Sequence, residues 1–471
     1  MEIRNQDIMP VVLMTGVNRY ELTLDGKKLM VQKGAALYLV DATAEPPKDL
    51  EKARVPLHQW SFAIDPREEW RQMLLDAWRL QRDYFYDRNM HGVPWQALLN
   101  RFMPLVDRVT DRDELNDLIA QLMSELSALH TRVWTGDVRR GQDRVDLASL
   151  GAELVRNESA GGYTVQRIYR TDPDYPERLS PLAMPEVNVQ EGDVIQALNG
   201  IPTLEVEHPA LLLKNKMNQQ VLARVQTADG QSVRDVIVRP INSRQADNLR
   251  YDAWEYKSRL YVEEQGQGAI GYIHLRAMGG ENYSEWARDY FPVFNRQGLI
   301  IDMRHNRGGN IDSWLLSKLL RKPWVYWQPR VGEPYWNMQY AFHGHMVVLC
   351  DEYTASDGET FAEGFRRLGL GQIIGVRTWG GGIWLSYGNR LVDYGYAAAP
   401  QIGMYTAEGQ WLIEGHGVDP DVVVDNLPHA TFLGQDAQLD AAIAHLQTLM
   451  REQPIVIPAP PPYPEKVFRY E

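Results

Sequence analysis

Cysteine is nearly absent from this chain, because Cys350 is the only one among 471 residues. An internal disulfide is therefore excluded, and the apolar run MVVLC (346–350) predicts an inert buried thiol. No stretch approaches the roughly 20 consecutive apolar residues of a membrane span. Positive charge is also scarce: 49 Lys and Arg stand against 62 Asp and Glu, a net charge of −13, which argues against nucleic acid or a membrane as partner.

Metal-binding motifs are missing too. The sequence has no HExxH motif and no tight His/Cys cluster, so a metallohydrolase has little support, and we expect neither a metal nor another cofactor. The opening segment MEIRNQDIMP is not a signal peptide, and we expect it to lie inside a longer protein. We predict a cytoplasmic protein, with the periplasm as the alternative.

What is present is ordinary for a globular chain, with 44% hydrophobic and 24% charged residues. The length predicts three or four domains at about 100–200 residues each. Residues 1–62 alternate apolar and polar positions around the turn LDGK (24–27), which predicts a hairpin. Residues 63–142 predict a helical domain, with one helix starting at Asp65–Pro66 and a second over Asp111–His130.

The remainder divides into three segments. Residues 148–242 are β-rich and contain EGDVIQALNGIPT (191–203), a turn, a strand and an Asn-Gly turn. From 243 to 450 apolar strands alternate with helical stretches, which predicts an α/β domain. The tail, 451–471, is rich in proline and extended.

Two strand-to-helix turns carry candidate chemistry. In DEYTASDGETF (351–361), Ser356 has two interpretations: the N-cap of a helix, with Glu359 completing a capping box, or a nucleophile beside main-chain N–H groups. The stretch alone favours the cap. In IDMRHNRGGNIDSWLL (301–316), Gly308 and Gly309 form either a plain tight turn or a turn that points N–H groups at a ligand.

Together these motifs resemble a known family. DMRHNRGG and YTASDGETF resemble the catalytic domain of the S41 serine peptidases, and LGLGQIIGVRTWGG (368–381) with IEGHGVDPDVVV (413–424) is similar to the tricorn-protease branch. EGDVIQALNGIPT resembles a PDZ domain, with its carboxylate-binding loop at LGAELV (150–155). The resemblance, over about 60–450, implies a multidomain α+β protein: the end of a β-propeller, a helical domain, a PDZ domain and an α/β catalytic domain of the ClpP/crotonase type.

The resemblance also implies roles for individual residues. Ser356 is the nucleophile, and the main-chain N–H groups of Gly309 and Asp357 form the oxyanion hole, with Gly308 beside the substrate. S41 processing peptidases use a lysine about 25 residues after the serine, but no lysine lies between Lys322 and Lys466, and position 381 is glycine.

A histidine must then act as base. His130, in LSALHTRVWTGD (126–137), matches the family's base, and Glu414 matches the acid that orients it. His305 and His416 are interpreted as structural or cleft-lining residues. The chain departs from the family at Leu129, where a serine normally precedes the histidine.

The expected function is a serine endo- or oligopeptidase acting on peptides or unfolded polypeptides, in a homo-oligomer that the resemblance implies is a hexamer. Trp327 aligns near the aspartate that gives the family its preference for basic P1 residues, so we predict an apolar or broad P1 preference. The alternative, favoured by Leu129, is an inactive peptidase that binds peptides through its PDZ-like domain.

Overall fold

The first strands of the chain form a small antiparallel sheet. The computed structural model describes residues 11–61, 63–139, 141, 143–386 and 388–468. The opening segment 1–10 and the end of the tail, 469–471, lie outside the described residues. The chain divides into two units, Met1–Trp70 and Arg71–Glu471.

The N-terminal unit contains the predicted hairpin. Its sheet has the order β1-β2-β3, and Leu22 pairs with Leu29 across the turn that holds Gly26. Val31, Tyr38 and Val40 form its small buried core. The three strands are β1 (Arg19–Leu22), β2 (Lys28–Lys33) and β3 (Ala36–Asp41).

Three α-helices follow, and the first begins at Pro66 as predicted. They are α1 (Pro66–Tyr84), α2 (Trp95–Phe102) and α3 (Arg112–Ser124). Trp78 and Trp95 tie α1 to α2, because each indole N–H donates to the carbonyl of the other residue, at 2.9 and 3.1 Å.

The second predicted helix corresponds to α3, and the prediction that it runs to His130 is wrong. α3 ends at Ser124, and Ser127 has a φ of +50°, a left-handed conformation that no helix continues through. His130 therefore lies in a connection that leads into β4 (Arg132–Trp134).

The segment predicted to resemble a PDZ domain is an antiparallel sheet with the order β11-β10-β8-β7-β6, and β9 pairs with β8. Asn199 and Gly200, both at positive φ, make the predicted turn between β8 and β9. The strands are β5 (Ala148–Ser149), β6 (Ala152–Asn157), β7 (Gly162–Ile168), β8 (Val194–Leu198), β9 (Ile201–Pro202), β10 (Val221–Gln226), β11 (Val233–Val238) and β12 (Ile241–Asn242).

The loop expected to bind a carboxylate in this domain is filled by the protein itself. Gly151 N–H donates to Ser149 Oγ at 3.1 Å, and the Gly151 carbonyl accepts from Ser180 Oγ at 2.8 Å. A Cβ on Gly151 would lie 2.7 Å from Pro181 and 3.1 Å from Leu249. A peptide terminus has no open space or free N–H at this glycine.

Residues 243–450 are built on a parallel sheet with the order β13-β14-β17-β18-β22. Helices cover both faces, as the alternating pattern predicts. The elements are α4 (Ser243–Gln265), β13 (Ile270–His274), α5 (Gly280–Tyr290), β14 (Gly298–Asp302), α6 (Asp312–Leu319), β15 (Val325–Trp327), β16 (Tyr335–Asn337), β17 (His345–Cys350), α7 (Asp357–Arg367), β18 (Gly371–Gly375), β19 (Ile383–Leu385), β20 (Tyr396–Ala398), β21 (Pro400–Gly403), β22 (Val422–Val423), α8 (Pro428–Phe432) and α9 (Ala437–Glu452).

Two hydrophobic layers enclose this sheet. One layer holds side chains of α5, α6 and α7, including Trp286 and Phe361, and the other packs α4 and α9 against the opposite face. Cys350 is free and buried, as predicted, and burial raises the pKa of its thiol. No described helix is long and apolar enough to cross a membrane.

The helical segment contacts the α/β segment at two places. β4 pairs with β20, with Val133 opposite Ala397. Arg112 of α3 forms a buried ion pair with Asp393, at 2.6 Å between Nε and Oδ2. These links fix the connection that carries His130 against the α/β sheet.

Candidate active site

Ser356 occupies the sharp turn between β17 and α7. Its backbone has φ 56° and ψ −120°, a strained conformation for a residue with a side chain, of the kind that costs about 1–3 kcal/mol and clusters at functional sites. Although Ser356 is the N-cap residue, its side chain makes no capping hydrogen bond to any described residue. The hydroxyl is therefore not used to start the helix.

Glu359 fixes this helix start instead. Its Oε2 accepts from Ser356 N–H at 2.8 Å, the half of the predicted capping box that the carboxylate supplies. The same buried carboxylate accepts from Thr378 Oγ1, Gly380 N–H and Gly381 N–H at 2.6, 2.6 and 2.9 Å. Burial raises the pKa of Glu359, and these hydrogen bonds oppose the rise. One side chain thus holds the Ser356 turn to the loop 378–381.

The glycine pair packs directly against the serine turn. Gly308 has φ +76°, and a Cβ added there would lie 2.5 Å from Ser356 Cβ and 3.1 Å from Asp357 N. A Cβ on Gly309 would lie 2.0 Å from the Met278 carbonyl oxygen. Only glycine fits at either position, because the turn packs closely against the Ser356 turn and the Met278 main chain.

Two main-chain donors beside Ser356 are unused. Across the described part of the chain, the N–H groups of Gly309 and Asp357 have no hydrogen-bond acceptor, although their neighbours do. Unpaired N–H groups at a partly enclosed site are costly unless something binds to them. An oxyanion is the ligand that such a pair is suited to bind.

Asn306 aligns the two turns, and the sequence reasoning missed it. The side chain is fully buried; its Oδ1 accepts from Gly308 N–H at 2.8 Å and its Nδ2 donates to the Leu275 carbonyl at 2.6 Å. Its own carbonyl accepts from Ala355 N–H at 2.9 Å. The asparagine between His305 and Arg307 in DMRHNRGG was the available signal.

The side chain of Asp357 caps a helix, though not its own. Oδ2 accepts from the N–H groups of Ile311 and Asp312, at 2.6 and 3.1 Å, at the start of α6. Burial raises the pKa of Asp357 to about 7. The Asp357 carboxyl therefore ties α6 to α7, while its main-chain N–H faces the serine.

His130 lies against the loop that Glu359 holds. Its ring packs edge-on against Trp379, with 5.2 Å between ring centroids, and Trp379 N–H donates to the Thr354 carbonyl at 3.1 Å. A Cβ on Gly381 would lie 2.8 Å from His130 Cε1. Glycine at position 381 therefore leaves room for the imidazole and for the Trp379 ring.

Glu414 reaches the residue before the histidine and not its ring. Oε1 accepts from Leu129 N–H at 2.9 Å, and Oε2 accepts from the N–H groups of Gly382 and Ile383 at 2.7 and 3.0 Å. His130 Nδ1 is buried without a hydrogen-bond partner among the described residues. No hydrogen bond among the described residues joins Glu414 to the imidazole.

Two expected contacts of the site are not found among the described residues. Within the described chain, no hydrogen bond joins His130 to Ser356. Trp327 lies half-exposed on β15, paired with Tyr335 of β16, and no described contact links it to Ser356 or His130. The predicted role of Trp327 as a wall of the substrate pocket therefore has no support within one chain.

The other two histidines of the motifs bind acids. His305 Nδ1 lies 3.0 Å from Asp351 Oδ2, and His416 Nε2 lies 2.6 Å from Asp419 Oδ2. Both agree with the structural or cleft-lining interpretation.

Known protein domains match three parts of the chain. Models of three domains match the chain: the tricorn protease C1 domain at 66–124, the tricorn protease PDZ domain at 148–243 and peptidase family S41 at 269–424. The chain is a tricorn-like member of peptidase family S41.

Individual relatives agree with this membership. Tricorn protease homolog 1 of Streptomyces coelicolor is 34% identical over 444 residues, 94% of this chain and 41% of that protein. The tricorn protease of Thermoplasma volcanium is 30% identical over 443 residues, 93% of this chain and 42% of the relative. A crystal structure of the tricorn protease superposes with a TM-score of 0.82 at 26% identity, covering 93% of this chain and 42% of that one. The chain thus spans about two fifths of the length of these relatives.

The imidazole of His130 is expected to titrate at an unusually low pH. Burial and, secondly, the charge of Arg132 lower the pKa of His130 to about 4. Because the unfolded chain binds that proton near pH 6.5, the contribution of His130 to stability is complete above pH 6.5 and is lost as the pH falls toward 4.

We expect the His130 imidazole resonances, assigned by comparison with His130→Gln, to titrate with a midpoint near pH 4 in an NMR pH series. A midpoint at or above 6.5 would show that the ring is hydrated or paired with an acid, which contradicts the buried, unpartnered Nδ1.

Proposed function

We propose that this chain is the catalytic part of a serine peptidase that cleaves peptide bonds through an acyl-enzyme. Ser356 Oγ attacks the carbonyl carbon while His130 Nε2 accepts its proton. The N–H groups of Gly309 and Asp357 bind the oxyanion. His130 then passes the proton to the leaving amine, and water, activated by His130, releases the acyl group.

The observation that carries the proposal is the pair of unused N–H groups on either side of a serine whose hydroxyl does not cap its helix. Donors that are already oriented act on charge that develops in the transition state, and losing one typically costs about 3–4 kcal/mol. The missing His130–Ser356 hydrogen bond does not count against the pair, since such bonds often form only when substrate is bound.

Glu414 acts in this proposal as a positioning residue. Through Leu129 N–H it holds the main chain beside the imidazole, while Gly382 and Ile383 hold the carboxylate. The ring itself keeps no acid partner. We therefore expect slower catalysis than in an enzyme whose imidazole is hydrogen-bonded to an acid.

The alternative, an inactive peptidase that captures peptides with its PDZ domain, has weaker support. The loop at Leu150–Gly151 is occupied by Ser180 and packed beside Leu249. Retention of both the free hydroxyl and the free donors favours the enzyme.

The proposal extends to the substrates, the assembly and the location of the protein. We infer peptides or unfolded polypeptides as substrates, an apolar or broad P1 preference, a homo-oligomer and a cytoplasmic location. A fluorogenic peptide panel dominated by Arg or Lys at P1 would contradict the inferred preference.

Ser356→Ala should abolish covalent labelling by a fluorophosphonate, because it removes the hydroxyl that the two free donors flank. Peptide hydrolysis should fall by roughly a thousandfold. Intact-mass spectrometry measures the label, and a quenched fluorescent peptide measures turnover.

Ser313→Ala is the matched control, since it deletes a serine hydroxyl that bonds only to Asp312. Labelling and turnover that persist in Ser356→Ala and are unchanged from the parent would refute the assignment.

Leu129→Ser should raise kcat/KM by about tenfold, because a hydroxyl next to Glu414 can accept from His130 Nδ1–H and stabilise the imidazolium. The acidic limb of the kcat/KM profile, expected near pH 4 in the parent, should move to higher pH.

Leu129→Ala provides the comparison, because it removes the same apolar bulk without adding a hydroxyl. If the Ser and Ala variants have the same rates and the same pH profile, the gap between Glu414 and His130 does not limit the enzyme.

A further inference from the structure

A cavity of about 520 Å³ opens beside the candidate active site without including it. We call it the His305 cavity. Ser356, His130 and Gly309 are not among the residues that line it. Its walls come from α4, from the turns after β14 and β17, and from the segment between β22 and α9.

Aromatic rings form one side of the His305 cavity. Trp254 meets the ring of His305 edge-on at 5.5 Å between centroids, and Tyr353 tilts against the other side of that imidazole at 5.4 Å. Tyr353 is 61% exposed, so its ring is open to a ligand. Flat aromatic faces of this kind attract alkyl chains and organic cations.

Most other charged groups of the lining already have partners. Arg304, almost completely buried, binds Asp302 and Asp436, and Nη1 lies 2.8 Å from Asp436 Oδ1. Asp351 pairs with His305 at 3.0 Å. Asp440 accepts from Tyr261 OH at 2.6 Å.

The charges at the rim are not neutralised. Among the described residues, the carboxylates of Glu352 and Asp425 have neither an ion pair nor a hydrogen bond, and Lys257 is the one unpaired cation of the lining. Five carboxylates therefore face one lysine, one arginine and a histidine already bound to one of the acids. The lining of the cavity therefore carries more negative than positive charge.

A metal ion does not fit this excess of negative charge. No group of three or more His, Cys, Asp or Glu in the described chain is placed to hold one. The free carboxylates, the aromatic walls and the volume instead suit a larger, partly apolar cation.

We propose that the His305 cavity binds an organic cation, an alkylammonium or guanidinium group on an aliphatic chain. Two sources share this chemistry: a basic side chain of the polypeptide being cleaved, several residues from the cleaved bond, or a small free amine. The first source rests on the proposed peptidase function; the binding site itself does not.

A ligand in the His305 cavity would affect two turns, the one that carries Gly308 and Gly309 and the one that carries Ser356. We call these the catalytic turns. His305 is followed directly by Asn306, which holds Gly308, and His305 N–H donates to Asp351 Oδ1 at 2.9 Å. Asp351 and Tyr353 begin the turn that ends at Ser356, and Thr354 Oγ1 joins it to the Met303 carbonyl at 2.8 Å. The cavity wall and the two oxyanion donors therefore belong to the same two turns.

The binding test uses calorimetry on the full chain carrying Ser356→Ala, so that no probe is hydrolysed. Nα-acetyl-arginine amide should bind with one-to-one stoichiometry, and its uncharged isostere Nα-acetyl-citrulline amide about tenfold more weakly. The double variant Glu352→Gln/Asp425→Asn should weaken the arginine probe about tenfold. Glu186→Gln/Glu205→Gln, an equal change of charge outside the cavity, should not.

Equal binding of the two amides, no binding of either, or an arginine affinity that Glu352→Gln/Asp425→Asn leaves unchanged would each overturn the proposal. None of these outcomes depends on catalysis. A chain that hydrolyses no peptide but binds the arginine probe as described would reject the peptidase and keep the cation site.

The source of the cation is decided with the active chain. If it is a substrate side chain, the arginine amide should raise KM for peptides with a distal Arg or Lys and leave neutral peptides unaffected. If it is a free amine, kcat for neutral peptides should change as well. No effect on either peptide, at concentrations where the amide is bound, would contradict any link between the cavity and the catalytic turns.

Discussion

The buried carboxylate of Glu359 is the interaction on which the candidate site depends. It accepts four hydrogen bonds, from Ser356 N–H, Thr378 Oγ1, Gly380 N–H and Gly381 N–H. A carboxylate with this many donors is worth burying, because each N–H or O–H offsets part of the cost of desolvation. By starting α7 in place of the serine side chain, it keeps Ser356 in its strained turn with a free hydroxyl.

The same loop also makes room for the imidazole of His130. A Cβ at position 381 would lie 2.8 Å from His130 Cε1 and 2.3 Å from Trp379, so a lysine there would displace the imidazole. Gly381 is therefore a packing partner of His130.

Much of this could be predicted from the sequence because the signals are local. Pro66 after Asp65 predicts a helix start, Asn199–Gly200 predicts a turn, and Gly308 and Gly309 predict main-chain approach. The pairing of the Gly308–Gly309 turn with the Ser356 turn was predicted from the family resemblance alone. Neither motif by itself indicates the order of the strands in the parallel sheet.

The rest depends on contacts between distant segments. α3 stops at Ser124 because the chain must turn to bring His130 to Trp379, and helical periodicity carries no information about that. Nothing local to Asn306 or Glu414 shows that the first aligns two turns or that the second holds Leu129 N–H. The aromatic segment near Trp327 forms its own hairpin, a pairing that an aligned position could not reveal.

The most direct test of the central claim is a crystal structure of the chain after reaction with a peptidyl phosphonate. We predict a covalent bond to Ser356 Oγ, with the phosphonyl oxygen about 2.7–3.1 Å from the N atoms of both Gly309 and Asp357 and His130 Nε2 within hydrogen-bond reach of Ser356 Oγ. An adduct whose oxygen points to solvent, with His130 still packed away from it, would contradict the account.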